Sequence, residues 1–265
     1  VTTRLAAVLG WPVAHSRSPA LHGAAFAATG LDATMLAFAV APDAIATAVR
    51  GLAALGCLGA SVTVPHKAAV MAACDAIDHD ARAIGAVNCL AFDGGRVTGH
   101  NTDAGGFVDA LVEVDGARGP AIVLGAGGAA RAVVAGLAST GIAATVFARR
   151  PDAATWGTAR PWHELASALP HTRLLVDCTS AGLDDVSDRA LAASVPLAPL
   201  PDDAVVATLV YHRPTALCLD AAARGLRTLD GRAMLLHQAA RAFTIWTGRL
   251  APIAAMRAAL DRSLR

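Results

Sequence analysis

A chain of 265 residues with a net charge of +1, 16% charged residues, and lysine and arginine scattered rather than striped offers no nucleic-acid surface, so its partner should be small. Although 55% of the residues are hydrophobic, long uncharged stretches such as 132–148 are interrupted by Gly136, Ser139, Thr140 and Gly141, which favours a soluble, well-packed chain of two domains over a membrane protein. Five scattered cysteines without a C-x-x-C, and histidines without partners at ligand spacing, exclude a disulfide framework and a metal site; with no signal peptide or lipidation motif, a reducing cytoplasm is expected.

The first apolar run, residues 5–9, ends at Gly10-Trp11-Pro12, and Ala14-His15-Ser16-Arg17-Ser18-Pro19 then precedes a helix. Pro19 suits the first helical position and Ser18 the N-cap. Two hydroxyls beside a helix N-terminus, Ser16 and Ser18, equally suit a carboxylate.

Residues 34–40 read as a strand, 42–55 as a helix and 59–64 as a strand ending at Pro65. Strands alternating with helices predict a mainly parallel sheet, on which ligands bind beyond the carboxyl ends of the strands. Ser61, Thr63, His66 and Lys67 therefore fall at a functional edge. Lys67 is the single lysine, every other long basic side chain being arginine. It reads either as a solvated helix residue or as a retained functional group.

Residues 68–77 and 79–84 look helical, and Asn88 then interrupts an apolar strand in Gly85-Ala86-Val87-Asn88-Cys89-Leu90. Its amide either satisfies a bend or faces a polyol. His100-Asn101-Thr102-Asp103 precedes a helix over 104–114, where Thr102 or Asp103 would serve as N-cap. A turn is expected over 116–120, with the domain boundary between Asp103 and Pro120.

Residues 121–124 form an apolar strand that runs into Gly125-Ala126-Gly127-Gly128-Ala129-Ala130, then into an alanine-rich helix and a second strand over 143–148. A G-x-G-x-x-A turn permits a tight bend, close approach of backbone N–H groups to a pyrophosphate, and close helix–strand packing. The same letters can arise in an ordinary tight turn, but the strand–helix–strand context supports nucleotide binding. Where an acidic residue would bind the ribose of NAD, Arg149 and Arg150 stand instead, which suits the 2′-phosphate of NADP. Asp152, after Pro151, is expected to cap the next helix.

Further strands over 173–178 and 204–210 end at Thr179-Ser180-Ala181-Gly182 and at Tyr211, the single tyrosine. Residues 184–203 read as a loop with a short helix, and helices over 234–248 and 252–264 close the chain. Met234 and Gln238 lie one turn apart and share a face.

Together, A-H-S-R-S-P (14–19), S-V-T-V-P-H-K (61–67), G-A-V-N (85–88), N-T-D (101–103), the glycine turn, T-S-A-G (179–182) and D-G-x-x-M-L-x-x-Q (230–238) resemble the shikimate dehydrogenase family, in the family's order and over nearly the whole chain. The resemblance implies an α/β protein. Residues 1–103 would form the substrate-binding catalytic domain, completed by C-terminal helices over 238–265, and residues 104–237 a Rossmann domain for NADP. It implies hydride transfer between NADPH and 3-dehydroshikimate.

Carried over, Lys67 and Asp103 are the catalytic pair, and Ser16, Ser18, Thr63, Asn88, Tyr211 and Gln238 bind substrate. Gly125, Ala126, Gly127, Gly128, Ala129, Arg149, Arg150, Thr179, Leu209, Gly231 and Met234 hold the cofactor, with no metal. Ketone reduction needs a donor at the developing alkoxide, and a neighbouring carboxylate favours the ammonium, so Lys67 is expected to act as a cationic hydrogen-bond donor oriented by Asp103. Four positions depart from the family pattern: Ser61 for an Asn, Ala148 for an Asn, His100 where an acid is frequent and Ala207 where an Asp is common. A quinate or aminoshikimate dehydrogenase on the same scaffold, and a non-catalytic NADP sensor, are the alternative readings. The chain would work as a monomer or homodimer.

Overall fold

The computed structural model describes residues 3–116, 119–154 and 156–265, and its chain divides into two compact units, Val1–Thr102 with Leu236–Arg265, and Asp103–Leu235. The first contains β1 (Arg4–Gly10), α1 (Ser18–Ala28), β2 (Ala33–Ala39), α2 (Ile45–Ala54), β3 (Gly59–Val62), β4 (Ala76–Ile77), α3 (His79–Ile84), β5 (Cys89–Asp93) and β6 (Arg96–His100). They form a six-stranded sheet in the order β2-β1-β3-β5-β6-β4. The pairs β1/β2, β1/β3 and β4/β6 are parallel; β3/β5 and β5/β6 are antiparallel.

The antiparallel part comes from a hairpin closed by Gly94 and Gly95, whose φ values of +55° and +85° are open to glycine at no steric penalty. Residues 69–73 form a 3-10 turn rather than part of the expected helix, and 76–77 are strand. The Asp75 carboxylate accepts the Val97 N–H at 2.7 Å, which holds this segment beside β6. Ser18 is the first residue of α1, not its N-cap; Arg17 takes that place, and the Ser18 N–H meets Ser16 Oγ at 3.3 Å.

The second unit contains α4 (Asp103–Glu113), β7 (Ala121–Leu124), α5 (Gly128–Ser139), β8 (Ala144–Ala148), β9 (Ala159–Pro161), α6 (Leu165–Ala168), β10 (Leu174–Asp177), α7 (Asp185–Ser194), β11 (Val205–Thr208), α8 (Ala216–Ala223) and β12 (Arg227–Leu229). Its sheet, β12-β11-β10-β7-β8-β9, is parallel at every pairing. Each face carries its own core: Val123, Val176 and Ala207 point toward α4 and α5 residues such as Phe107 and Val133, while Ile122, Leu175 and Val206 meet Leu191 and Leu217. This is the alternation that a strand covered on both faces requires.

Here too some expectations change. Asp152 lies inside a single 3-10 turn, Pro151–Ala153, and caps no helix; α7 is a ten-residue helix where a short one was expected. The expected turn over 116–120 includes Ala117 and Arg118, which lie outside the described residues.

The chain ends in α9 (Gly231–Thr247) and α10 (Ile253–Ser263). In the first unit, the Trp246 indole N–H donates to the Leu90 carbonyl at 2.9 Å. A Cβ on Gly59 would lie 2.1 Å from Trp246 Nε1, so β3 admits only glycine beneath that ring. None of the helices among the described residues is long and apolar enough to cross a membrane.

Candidate active site

In the first unit the alternating strand directions bring the C-terminal ends of β1, β3 and β6 and the N-terminal end of β5 to one edge. Ser16 and Ser18 follow β1, Thr63 and Lys67 follow β3, Asn88 precedes β5, and Thr102 follows β6. The Thr63 N–H donates to the Leu9 carbonyl at 2.9 Å and the Trp11 N–H to the Val64 carbonyl at 3.0 Å, so the two parallel strands leave the sheet together. A Cβ on Gly10 would fall 2.5 Å from Thr63 Cγ2, which shows how closely the serine loop and the threonine loop approach.

The Lys67 loop is tied down on both sides. His66 is buried and its Nε2 lies 2.8 Å from the Val40 carbonyl, while the Val87 N–H donates to the Lys67 carbonyl at 2.7 Å. His66 is thus a fastening of the loop. One residue further, the Asn88 carboxamide pairs with Thr102: Oδ1 accepts the Thr102 N–H at 2.7 Å and Nδ2 donates to Thr102 Oγ1 at 3.0 Å. Asn101 Nδ2 donates to the Ala86 carbonyl at 2.9 Å. The G-A-V-N and N-T-D motifs therefore interlock.

This arrangement refines the reading of Asn88, which does more than complete a bend. It fixes the residue that immediately precedes Asp103, and Asp103 opens α4 as its first residue, leaving Thr102 at the cap position. His100, noted above for lacking an acidic side chain, sets Nδ1 2.8 Å from Asp78 Oδ2. Asp78 also caps α3 by accepting the Ala81 N–H at 2.6 Å. Ser61 is buried and its Oγ has no hydrogen-bond partner among the described residues. Gln238 is buried on α9 two turns before Trp246.

In the second unit the glycine turn takes the form its sequence predicts. Gly125 has φ +97°, and a Cβ there would lie 3.3 Å from the Cys178 carbonyl and from Thr179 Cγ2. Gly127 is the N-cap of α5, and a Cβ on Gly127 or Gly128 would meet nothing within 4 Å. The first glycine is thus required by conformation and by the neighbouring loop; the next two leave the helix N-terminus open to a ligand. The third small position, Ala130, is fully buried against the sheet.

Gly125, Ala126, Gly127, Gly128, Ala129, Arg149, Arg150, Thr179 and Trp162 line one cavity of about 460 Å3. Arg149 and Arg150 are exposed where β8 ends. The Trp156 indole donates to the Ala126 carbonyl at 3.0 Å, a brace on the turn that no sequence motif announced. Asp177 ends β10; its Oδ1 accepts the Thr179 N–H at 2.9 Å, and burial pushes its carboxyl up from the usual range against that hydrogen bond.

Leu209 and Gly231 form a second tight contact. A Cβ on Gly231 would lie 2.1 Å from the Leu209 carbonyl oxygen, and the Gly231 N–H donates to the Val210 carbonyl at 2.9 Å. Met234 follows on the first turn of α9, half-buried, and Tyr211 lies just beyond Val210, also half-buried. An open helix N-terminus, a positive φ at the strand end and two guanidinium groups beside it fit a phosphorylated dinucleotide. Among the described residues no cluster has the composition of a metal site.

Residues 8–90 match the family model of the shikimate dehydrogenase substrate binding domain, and residues 231–260 that of the shikimate 5′-dehydrogenase C-terminal domain. A shikimate dehydrogenase (NADP(+)) of Paramagnetospirillum magneticum is 45% identical over 261 residues, 93% of each chain. The fold superposes with a TM-score of 0.88 on shikimate 5-dehydrogenase from Thermus thermophilus in complex with NADP(H) and shikimate, at 36% identity and covering 98% and 99% of the two chains. Quinate dehydrogenase from Corynebacterium glutamicum, in complex with NAD, is 27% identical with a TM-score of 0.87, covering 98% and 99%.

Proposed function

The chain belongs to the shikimate dehydrogenase family, and on that premise we propose that it interconverts 3-dehydroshikimate and shikimate with NADP(H). The observation that carries the site assignment is the short relay from lysine to aspartate. The Lys67 carbonyl holds Val87, the next residue Asn88 holds Thr102, and Asp103 follows directly.

Ser16 and Ser18, at the end of β1, receive the substrate carboxylate with hydroxyl donors. Thr63, Asn88, Asp103 and Gln238 hold the ring hydroxyls, and Tyr211 lines the pocket. NADP(H), when bound, would supply or accept the hydride. As the carbonyl oxygen gains charge, the Lys67 Nζ–H donates to it and Asp103 orients both the ammonium and the adjacent hydroxyl; a fixed donor at that oxygen stabilises the transition state more than the ground state.

Gly125, Ala126, Gly127, Gly128 and Ala129 cradle the pyrophosphate at the positive end of α5. Arg149 and Arg150 take the 2′-phosphate, and Thr179, Leu209, Gly231 and Met234 line the nicotinamide side. The departures at Ser61, Ala148 and Ala207 lie outside the lysine–aspartate pair. The protein acts in the cytoplasm on a small-molecule substrate, as a monomer or homodimer, with residues 1–103 and 238–265 serving the substrate and residues 104–237 the cofactor.

Initial rates on shikimate and quinate, each with NADP and NAD, test this. The reading expects shikimate with NADP to give the highest kcat/KM; faster turnover of quinate would move the chain to the quinate branch of the family, and no turnover of either would refute the enzyme assignment.

A further inference from the structure

Tyr211 sits on an irregular segment between β11 and α8, and Arg213 and Asp188, which belong to none of the family motifs, fasten that segment to the T-S-A-G turn. A Cβ on Gly182 would lie 2.6 Å from Val210 Cγ2 and 3.1 Å from Thr215 Cγ2, so the turn after β10 presses against the segment at both flanks of the tyrosine. Arg213 then locks the contact. Its Nε donates to the Gly182 carbonyl at 3.0 Å, its Nη1 pairs with Asp185, and its Nη2 lies 3.4 Å from Asp188 Oδ2.

Asp188 comes from α7 and its side chain is 5% exposed. The same Oδ2 accepts the N–H of Ala216, the first residue of α8, at 2.9 Å. Thr215, at the cap position, supplies no side-chain cap of its own, so this carboxylate from another helix does that work. One buried charge therefore meets both the arginine two residues after Tyr211 and the helix that follows.

We propose that Arg213 and Asp188 are positioning residues that hold the Tyr211 segment in register with the Thr179–Gly182 turn, setting the substrate-facing ring relative to the cofactor-facing loop. The exposed pair with Asp185 alone would contribute little, since a solvated ion pair is screened. The hydrogen bond to the Gly182 carbonyl is directional, the buried Asp188 carboxylate 3.4 Å from Nη2 adds a charge contact shielded from water, and together they span the two loops. The inference rests on the reading of Tyr211 as a substrate-pocket residue.

A double-mutant cycle tests it with Arg213→Ala, Tyr211→Phe and the combined variant, alongside amide hydrogen exchange over residues 209–216. Arg213→Ala should raise KM for shikimate about tenfold with kcat held within about threefold, the pattern of lost binding rather than lost chemistry. On the Tyr211→Phe background the same change should have a clearly smaller effect, because coupled residues are not additive. Arg213→Lys, which keeps the charge beside Asp188, should recover part of the loss, and the 209–216 amides should exchange faster in Arg213→Ala.

An equal KM increase on both backgrounds, or an unchanged KM with unchanged exchange, overturns the proposal. If the unmodified protein turns over no shikimate, the functional reading falls separately. The exchange data then judge the fastening alone, and unchanged protection refutes it.

Discussion

His22 offers a test of the packing of the first unit that is independent of catalysis. It lies on α1 fully buried, its ring centroid 4.7 Å from that of Trp246 and 6.1 Å from that of Phe26, and neither ring nitrogen has a hydrogen-bond partner among the described residues. Burial lowers its pKa from 6.5 to about 3. The folded state therefore holds the imidazole neutral, whereas the unfolded chain takes up a proton once the pH drops below 6.5.

The sign follows from that difference in protons bound. Stability is fully present above pH 6.5 and is lost as the pH falls toward 3, by about 1.4 kcal/mol per unit. At pH 5 the loss from this one side chain is about 2 kcal/mol, and across the whole window about 5 kcal/mol. His22→Leu removes the titrating group while keeping an apolar side chain on Trp246. Urea unfolding of both proteins at pH 7.5 and pH 5 should show the unmodified protein losing about 2 kcal/mol more than the variant. Equal losses would mean that His22 is hydrated or partnered in solution, and the reasoning from its burial would fail.

Other consequences concern the second unit. Gly231→Ala places a methyl 2.1 Å from the Leu209 carbonyl oxygen, so the backbone must shift; destabilisation of about 1–3 kcal/mol is expected, read as a lowered Tm, together with a raised KM for NADP. Arg149→Ala combined with Arg150→Ala should raise KM for NADP by about 100-fold or more in low salt, since two charge-assisted contacts of about 1.5–3 kcal/mol each are lost, and leave KM for NAD nearly unchanged. Equal effects on both cofactors would place the 2′-phosphate elsewhere.

Much of this arrangement is legible locally. The G-x-G-x-x-A turn carries its own reasons in Gly125 and Ala130, one needing a positive φ and the other a fully buried small side chain. That strands stop shortly before Pro65 and Thr179 follows from alternation and breakers, β3 ending at Val62 and β10 at Asp177. What escaped depends on contacts between residues far apart in sequence. The β5–β6 hairpin reverses strand direction and makes the first sheet mixed; its one local sign is Gly94-Gly95.

Residues 68–77 look helical because alanine favours helices, yet only 69–73 turn, as a 3-10 helix, and the Asp75 bond to Val97 accompanies the pairing of 76–77 with β6. Asn88, Trp156 and Asp188 each bond to a partner 14 to 30 residues away, Thr102, Ala126 and Ala216, so no window of helical or strand length reveals their roles.

Whether Lys67 supplies the hydrogen bond that the reacting oxygen needs is decided by saturating kinetics of Lys67→Met with shikimate and NADP. A kcat lower by a factor of about 100 or more is expected, with KM altered only a few-fold, because the lost interaction belongs to the transition state. A Lys67→Met enzyme that turns over shikimate at the unmodified rate would contradict that role.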